Sequence, residues 1–230
     1  MNVRDILLSN RIVGLVLLVL LVFIAGPNTL PRVLSNLLPS VIYEGVPCVW
    51  LRRADDRANH QSLLGRVAPN PIQLRINIDA LPSDPAVIWR VRIIITNESL
   101  GSVPIVYDPN QVIVGDNLSN GLGLIFTPNI SLTSGGTRGG NPVVADRDLR
   151  ILGPRQRCVH SVEFPAGNVL IDQAITRGLV RIRAYYRNNS AGQVVQTNPV
   201  ATPIFNDQGL WSGYVESDEV SIPALPPSSQ

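Results

Sequence analysis

From Pro71 onward the sequence alternates apolar and polar residues with a period of two. In IQLRINI, Ile72, Leu74, Ile76 and Ile78 fall on one side and Gln73, Arg75 and Asn77 on the other. In AVIWRVRIIITN, Val87, Trp89, Val91, Ile93 and Ile95 share one face, with Arg90 and Arg92 opposite. Successive side chains of a strand point to opposite faces of its sheet, so both stretches read as strands with one buried side. Further candidates are Val103–Tyr107, Gln111–Val114, Gly121–Phe126, Leu149–Leu152, Val159–Phe164, Leu179–Arg187 and Trp211–Ile222. Gly, Pro, Asn and Asp punctuate them, and no convincing helical pattern intervenes. Eight or nine short strands at turn spacing predict an all-β body folded as an antiparallel sandwich.

Four stretches carry a resemblance: ITNESLGSVPI, ILGPRQRCVHSVEFPAG, GLVRIRAYYRNNS and GLWSGYVESDEVSI. In order, these are a strand ending in Asn-x-Ser at a turn, a Pro-led turn before a strand ending in Phe, a Tyr-rich strand, and a last strand opening on Trp. The set resembles bacterial membrane-anchored immunoglobulin-like β-sandwich domains over about residues 71–223. That resemblance implies an immunoglobulin-like fold. It does not select a function, since such domains serve as inhibitors, adhesion modules and subunits of larger assemblies. The insert from Thr127 to Asp148, with SGGTRGGNP, departs from a compact sandwich and reads as a mobile or partner-ordered loop.

Ahead of the body, Ile12–Gly26 is an uninterrupted run of fifteen apolar or glycine residues. As a helix it would reach about 22 Å, and extension back through Ile6 brings it close to a bilayer-spanning length. Cleavage after Ala25 or Gly26 would put Phe23 or Ile24 at the −3 position, where signal peptidase needs a small residue. The run is therefore expected to stay as an anchor, with the lipid bilayer contacted through residues 6–26. Arg4, Arg11 and the amino terminus precede it, which favours a cytoplasmic amino terminus and an extracytoplasmic body, periplasmic or extracellular.

Next, Leu30, Val33, Leu34, Leu37, Leu38, Val41 and Ile42 recur at helical spacing, forming one apolar stripe. Such a short amphipathic helix can lie in the bilayer interface, pack on a partner's transmembrane helices, or fold back onto its own domain. The expected organisation is thus an anchor at 1–27, an amphipathic helix and linker at 28–70, a sandwich at 71–223 and a Pro-rich tail at 224–230.

Candidate chemistry is sparse. A formal charge of +2 and the absence of a basic stripe with interleaved aromatics argue against nucleic acid. All nineteen positive residues are arginine, which excludes a P-loop lysine and Schiff-base chemistry. Cys48 and Cys158 are the only cysteines. Outside the cytoplasm a disulfide is the expected state, with two buried thiols or a metal or redox role as alternatives. His160 alternates with Val162 and Phe164, so a hydrogen-bonded core histidine is its default reading. Arg181, Arg183 and Arg187 share a strand face with Tyr185, either simply solvated or a docking surface of the kind in which Arg and Tyr are enriched.

No nucleophile, base or metal set can be assembled, so neither catalysis nor a cofactor is expected. The functional expectation is a single-pass accessory subunit of a larger membrane complex, respiratory or photosynthetic if a class is named. It would dock partner subunits through Leu30, Val33, Leu34, Leu37, Leu38, Arg181, Arg183 and Tyr185. The alternative is a free-standing surface module: an adhesin, a receptor or a protease inhibitor.

Overall fold

The computed structural model describes residues 13–17, 20, 38–39, 42–52, 69–80, 82, 87–109, 113–115, 120–128, 144–145, 148–164, 181–189, 194–195 and 210–222. Within them the chain is predominantly β. The strands are β1 (Val46–Pro47), β2 (Ile72–Ile78), β3 (Trp89–Asn97), β4 (Val103–Val106), β5 (Ile113–Val114), β6 (Gly121–Thr127), β7 (Val144–Ala145), β8 (Leu149–Leu152), β9 (Arg157–Phe164), β10 (Arg181–Asn188), β11 (Val194–Val195), β12 (Gly213–Glu216) and β13 (Val220–Ser221). A 3-10 turn, Cys48–Trp50, follows β1.

Two sheets frame the core. One runs β1-β9-β3-β2, and the other runs β12-β10-β6-β5 with β13 also on β10. Two small sheets, β4-β8 and β7-β11, complete the set. The register between β2 and β3 pairs Leu74 with Ile95 and Ile76 with Ile93, which puts the alternating residues of both strands on one face. From β9, Cys158, His160, Val162 and Phe164 stand opposite Ile95, Ile93, Val91 and Trp89 on that same face. The facing sheet contributes Leu122, Leu124, Phe126, Ile182, Ala184 and Tyr186 to one shared core. Trp89 stacks on Phe164 at 5.1 Å between ring centroids and meets Phe126 of the other sheet at 6.3 Å. This packing is compatible with a β-sandwich.

The strand expectations are met with shifts at their ends, and in two respects the architecture departs from them. The sheets are not wholly antiparallel: β1 on β9, β5 on β6 and β7 on β11 are parallel. Each of these pairs involves a two-residue strand, too short to leave a period in the sequence. Second, Trp211–Ile222 is broken in two. Ser217 exchanges bonds with Ala184 in place of a ladder pair, accepting from the Ala184 N–H through Oγ at 2.9 Å and donating its own N–H to the Ala184 carbonyl at 2.9 Å. Two residues of β10 thereby face three of the bulged strand.

Of the amino-terminal span expected as an anchor, residues 13–17 and 20 are described. Val13–Leu17 and Leu20 are helical, and Val13, Leu15, Val16, Leu17 and Leu20 are exposed. Among the described residues no helix is long and apolar enough to cross a membrane. The remainder of the 6–26 span lies outside the described residues, as do Leu30, Val33, Leu34 and Leu37 and most of the 127–148 insert.

Buried polar groups lock the turns that hold the sheets in register. Asn97, fully buried at the end of β3, donates through Nδ2 to the carbonyls of Gly101 (2.7 Å), Gly153 (2.7 Å) and Leu152 (3.2 Å). Its Oδ1 accepts from the N–H and the hydroxyl of Ser99 at 2.9 and 2.7 Å. One side chain thus closes its own turn as an Asx-turn and fastens it to the turn between β8 and β9. Pro154 leads that second turn, and Arg155 adopts a positive φ of 53° there.

Candidate functional site

The part of the body with the most unusual construction is the strap that leads into it. Leu38 accepts a hydrogen bond at its carbonyl from Arg157 Nη2 at 2.6 Å. The Ile42 and Tyr43 N–H groups both donate to the Pro39 carbonyl at 3.0 Å, forming a turn. Glu44 then reaches Asn77 of β2 and Arg92 of β3. Gly45 follows at φ 132°, a conformation few other residues adopt, and a Cβ there would lie 2.6 Å from the Arg157 carbonyl oxygen. That absence of a side chain lets β1 pair directly with β9, Val46 opposite Cys158.

Cys48 is bonded to Cys158, with Cα atoms 4.8 Å apart. Both cysteines are fully buried. Beyond the 3-10 turn, Leu51 enters the core and the Arg52 carbonyl accepts from the Ile151 N–H of β8 at 2.9 Å. The strap is therefore held at β9, by the disulfide and at β8. Its turn nonetheless leaves Val49 and Trp50 outside, with Trp50 74% exposed.

Where β1 stops, a cleft of about 460 Å³ opens beside the strap, lined by Glu44, Pro47, Val49, Tyr107, Pro109 and His160 among others. At its floor the Tyr107 hydroxyl and His160 Nδ1 lie 2.7 Å apart, with the rings edge to face. A phenol is the better donor and an imidazole nitrogen the better acceptor, so Nδ1 accepts and the ring proton sits on Nε2. Among the described residues Nε2 has no hydrogen-bond partner. Burial pushes the His160 pKa down to about 4 against the opposing pull of Asp108, so the ring is neutral near pH 7. Burial likewise pushes the Tyr107 hydroxyl up to about 12, partly offset by Arg150. The pair is a neutral hydrogen-bonding unit. His160 is thus the buried, hydrogen-bonded core histidine its strand position predicts.

The expected docking face is built differently from its sequence pattern. Arg181 pairs with Glu219 at 3.2 Å and Arg183 with Glu216 at 3.3 Å, both at the surface. Thr127 donates to Glu219 from the other side at 2.7 Å. Tyr185 shares their face but is buried, 1% exposed, and here the expectation of an offered tyrosine is corrected. It stands opposite Gly123 of β6, where a Cβ would overlap its ring, and it packs with Ile125 and Tyr214. The glycine makes a slot in the outer face, and the ring fills it.

Of the residues expected to dock, Leu38 contributes its carbonyl to the strap, Arg181 and Arg183 form a paired surface, and Leu30, Val33, Leu34 and Leu37 lie outside the described residues. The disulfide between Cys48 and Cys158 is present. The exposed Val49-Trp50 pair was not singled out by sequence pattern, because one turn between a cysteine and a charged stretch has no periodicity. Among the described residues no group of three or more His, Cys, Asp or Glu side chains is placed to hold a metal ion. Comparison with known proteins returns no match to any family model, curated protein or solved structure.

Proposed function

We propose that this chain is a non-catalytic, membrane-anchored accessory subunit. An immunoglobulin-like sandwich is carried outside the cytoplasm on the amino-terminal apolar run and docks onto other subunits of a membrane complex. The observation that carries the reading is the strap. Twenty-two residues after the apolar run ends at Gly26, Cys48 is bonded to a central strand of the body. A disulfide belongs to an oxidising compartment, and this one makes the segment leaving the anchor part of the folded body instead of a loose tether. The paired Arg181 and Arg183 and the strap surface are the proposed contacts. An energy-transducing complex, respiratory or photosynthetic, is the proposed class of partner.

Extraction of native membranes in mild detergent, pull-down on a carboxy-terminal tag and mass spectrometry test this. Stoichiometric recovery of the same polytopic proteins is the expected result. Recovery as a lone 25.0 kDa species overturns it. That outcome would favour a second reading, a surface-displayed binding module, which the cleft over Tyr107 and His160 supports as a recess for a ligand.

A further inference from the structure

We infer that the disulfide-locked turn Cys48–Trp50, with Ile42 at the entry to the strap, is a platform that rests in the interfacial layer of the bilayer. This rests on the anchored reading proposed above, and it adds that the body lies against the membrane instead of standing off it. Trp50 is 74% exposed, Ile42 71% and Val49 48%. The neighbouring backbone gives the Val49 and Trp50 side chains no way to withdraw. Cys48 is held to Cys158, the Leu51 N–H donates to the Cys48 carbonyl at 3.1 Å, and Leu51 itself is sunk in the core. A tryptophan fixed outward on a turn pinned at both ends exposes apolar surface to water permanently unless something covers it.

Three features point to lipid as the cover. The residue types suit the interface, where an indole keeps its ring among acyl chains and its N–H in the wet layer. The turn belongs to the segment that descends directly from the apolar run. Sixteen residues separate Gly26 from Ile42, a reach of at most about 55 Å if fully extended, and shorter for any folded path. Arg52 and Arg53 follow Leu51 in the sequence and add positive charge to the stretch after the turn. A protein partner would also favour tryptophan, and it is the competing outcome of the test.

The three tryptophans make the test direct. Trp89 is buried in the core and Trp211 packs on Tyr186, whereas Trp50 is exposed. The full chain and its Trp50→Phe variant would be reconstituted into phosphatidylcholine vesicles, with and without phosphatidylglycerol, and floated to establish association. Fluorescence would then be quenched from the lipid side by brominated acyl chains and from the water side by acrylamide. The expected result is Trp50-dependent emission reduced about twofold or more by brominated lipid and shielded from acrylamide, both effects missing in the variant. A stronger effect with phosphatidylglycerol would also support the proposal and add the arginines to it. Flotation without Trp50-dependent quenching overturns the platform and leaves the anchor standing. Shielding from acrylamide without lipid quenching assigns the surface to a contact within this chain or between its copies and also overturns it. Failure to float removes the anchor and the platform together.

Discussion

His160 should make the protein lose stability on mild acidification. Its pKa is held near 4 in the folded state by burial, against about 6.5 for an exposed imidazole in the unfolded chain. Between these values the unfolded chain binds a proton that the folded one does not, so stability falls as pH falls. The contribution is complete above pH 6.5 and is lost through the folded pKa. Integrating the linkage gives a loss of about 2 kcal/mol by pH 5 and about 3 kcal/mol by pH 4, with a ceiling near 3.4 kcal/mol. Carboxylates titrate in the same range, so the informative quantity is a difference. Urea unfolding of the full chain in detergent, followed through Trp89 emission, would be compared with His160→Gln at pH 7, 5 and 4. The glutamine cannot titrate but can still accept from the Tyr107 hydroxyl. The wild type should lose about 2 kcal/mol more than the variant between pH 7 and 5. Equal losses would show that the ring is solvated or protonated in the fold, and the reading of the Tyr107–His160 pair would be wrong.

Replacing Cys48 and Cys158 together by alanine releases a closure spanning 110 residues, which chain entropy values at up to about 4.8 kcal/mol. The expected fall is about 3–5 kcal/mol in urea unfolding, with faster hydrogen exchange over 42–52, and a loss below about 1 kcal/mol would refute the view that the strap is part of the cooperative fold. Asn97→Ala strands buried carbonyls of two turns and the Ser99 N–H, and should cost about 3 kcal/mol; an unchanged melting temperature would show that the turns hold without it. Gly123→Ala pushes on the Tyr185 ring and should cost about 1–3 kcal/mol while exposing a tyrosine to solvent perturbation in its absorption spectrum. If the melt and the spectrum both match wild type, the slot does not exist.

The β character of the body was legible because half-buried strands write their environment as a two-residue period. Ile72, Leu74, Trp89, Val91, Ile93 and Ile95 are all buried on the side their alternation assigns. The place where that alternation fails is equally informative. Ile94 breaks the pattern of β3 and is 4% exposed although it points away from Ile93 and Ile95. It shares that outer face with Arg157, whose guanidinium holds the Leu38 carbonyl. Three consecutive isoleucines therefore signal a sheet covered on both sides, and at this end the strap crosses the outer face. A central strand buried on two faces reads as a continuous apolar run.

What the sequence does not disclose is pairing between distant pieces. Nothing in Val46-Pro47 announces a strand, since two residues carry no period and their order in the sheet depends on Gly45 and the disulfide. Tyr185 shows the same limit in the other direction. By alternation it belongs with Arg181 and Arg183 on an exposed face, and it does lie on that face. Its burial is decided by Gly123, sixty-two residues earlier, where an absent side chain leaves room for the ring. The complementary signal, a glycine in one strand and an aromatic in its neighbour, becomes readable only once register is known. Function follows the same division. The strap and its exposed Trp50 arise from one cysteine meeting another 110 positions away, so the surface most in need of a partner was the one that local pattern could not mark.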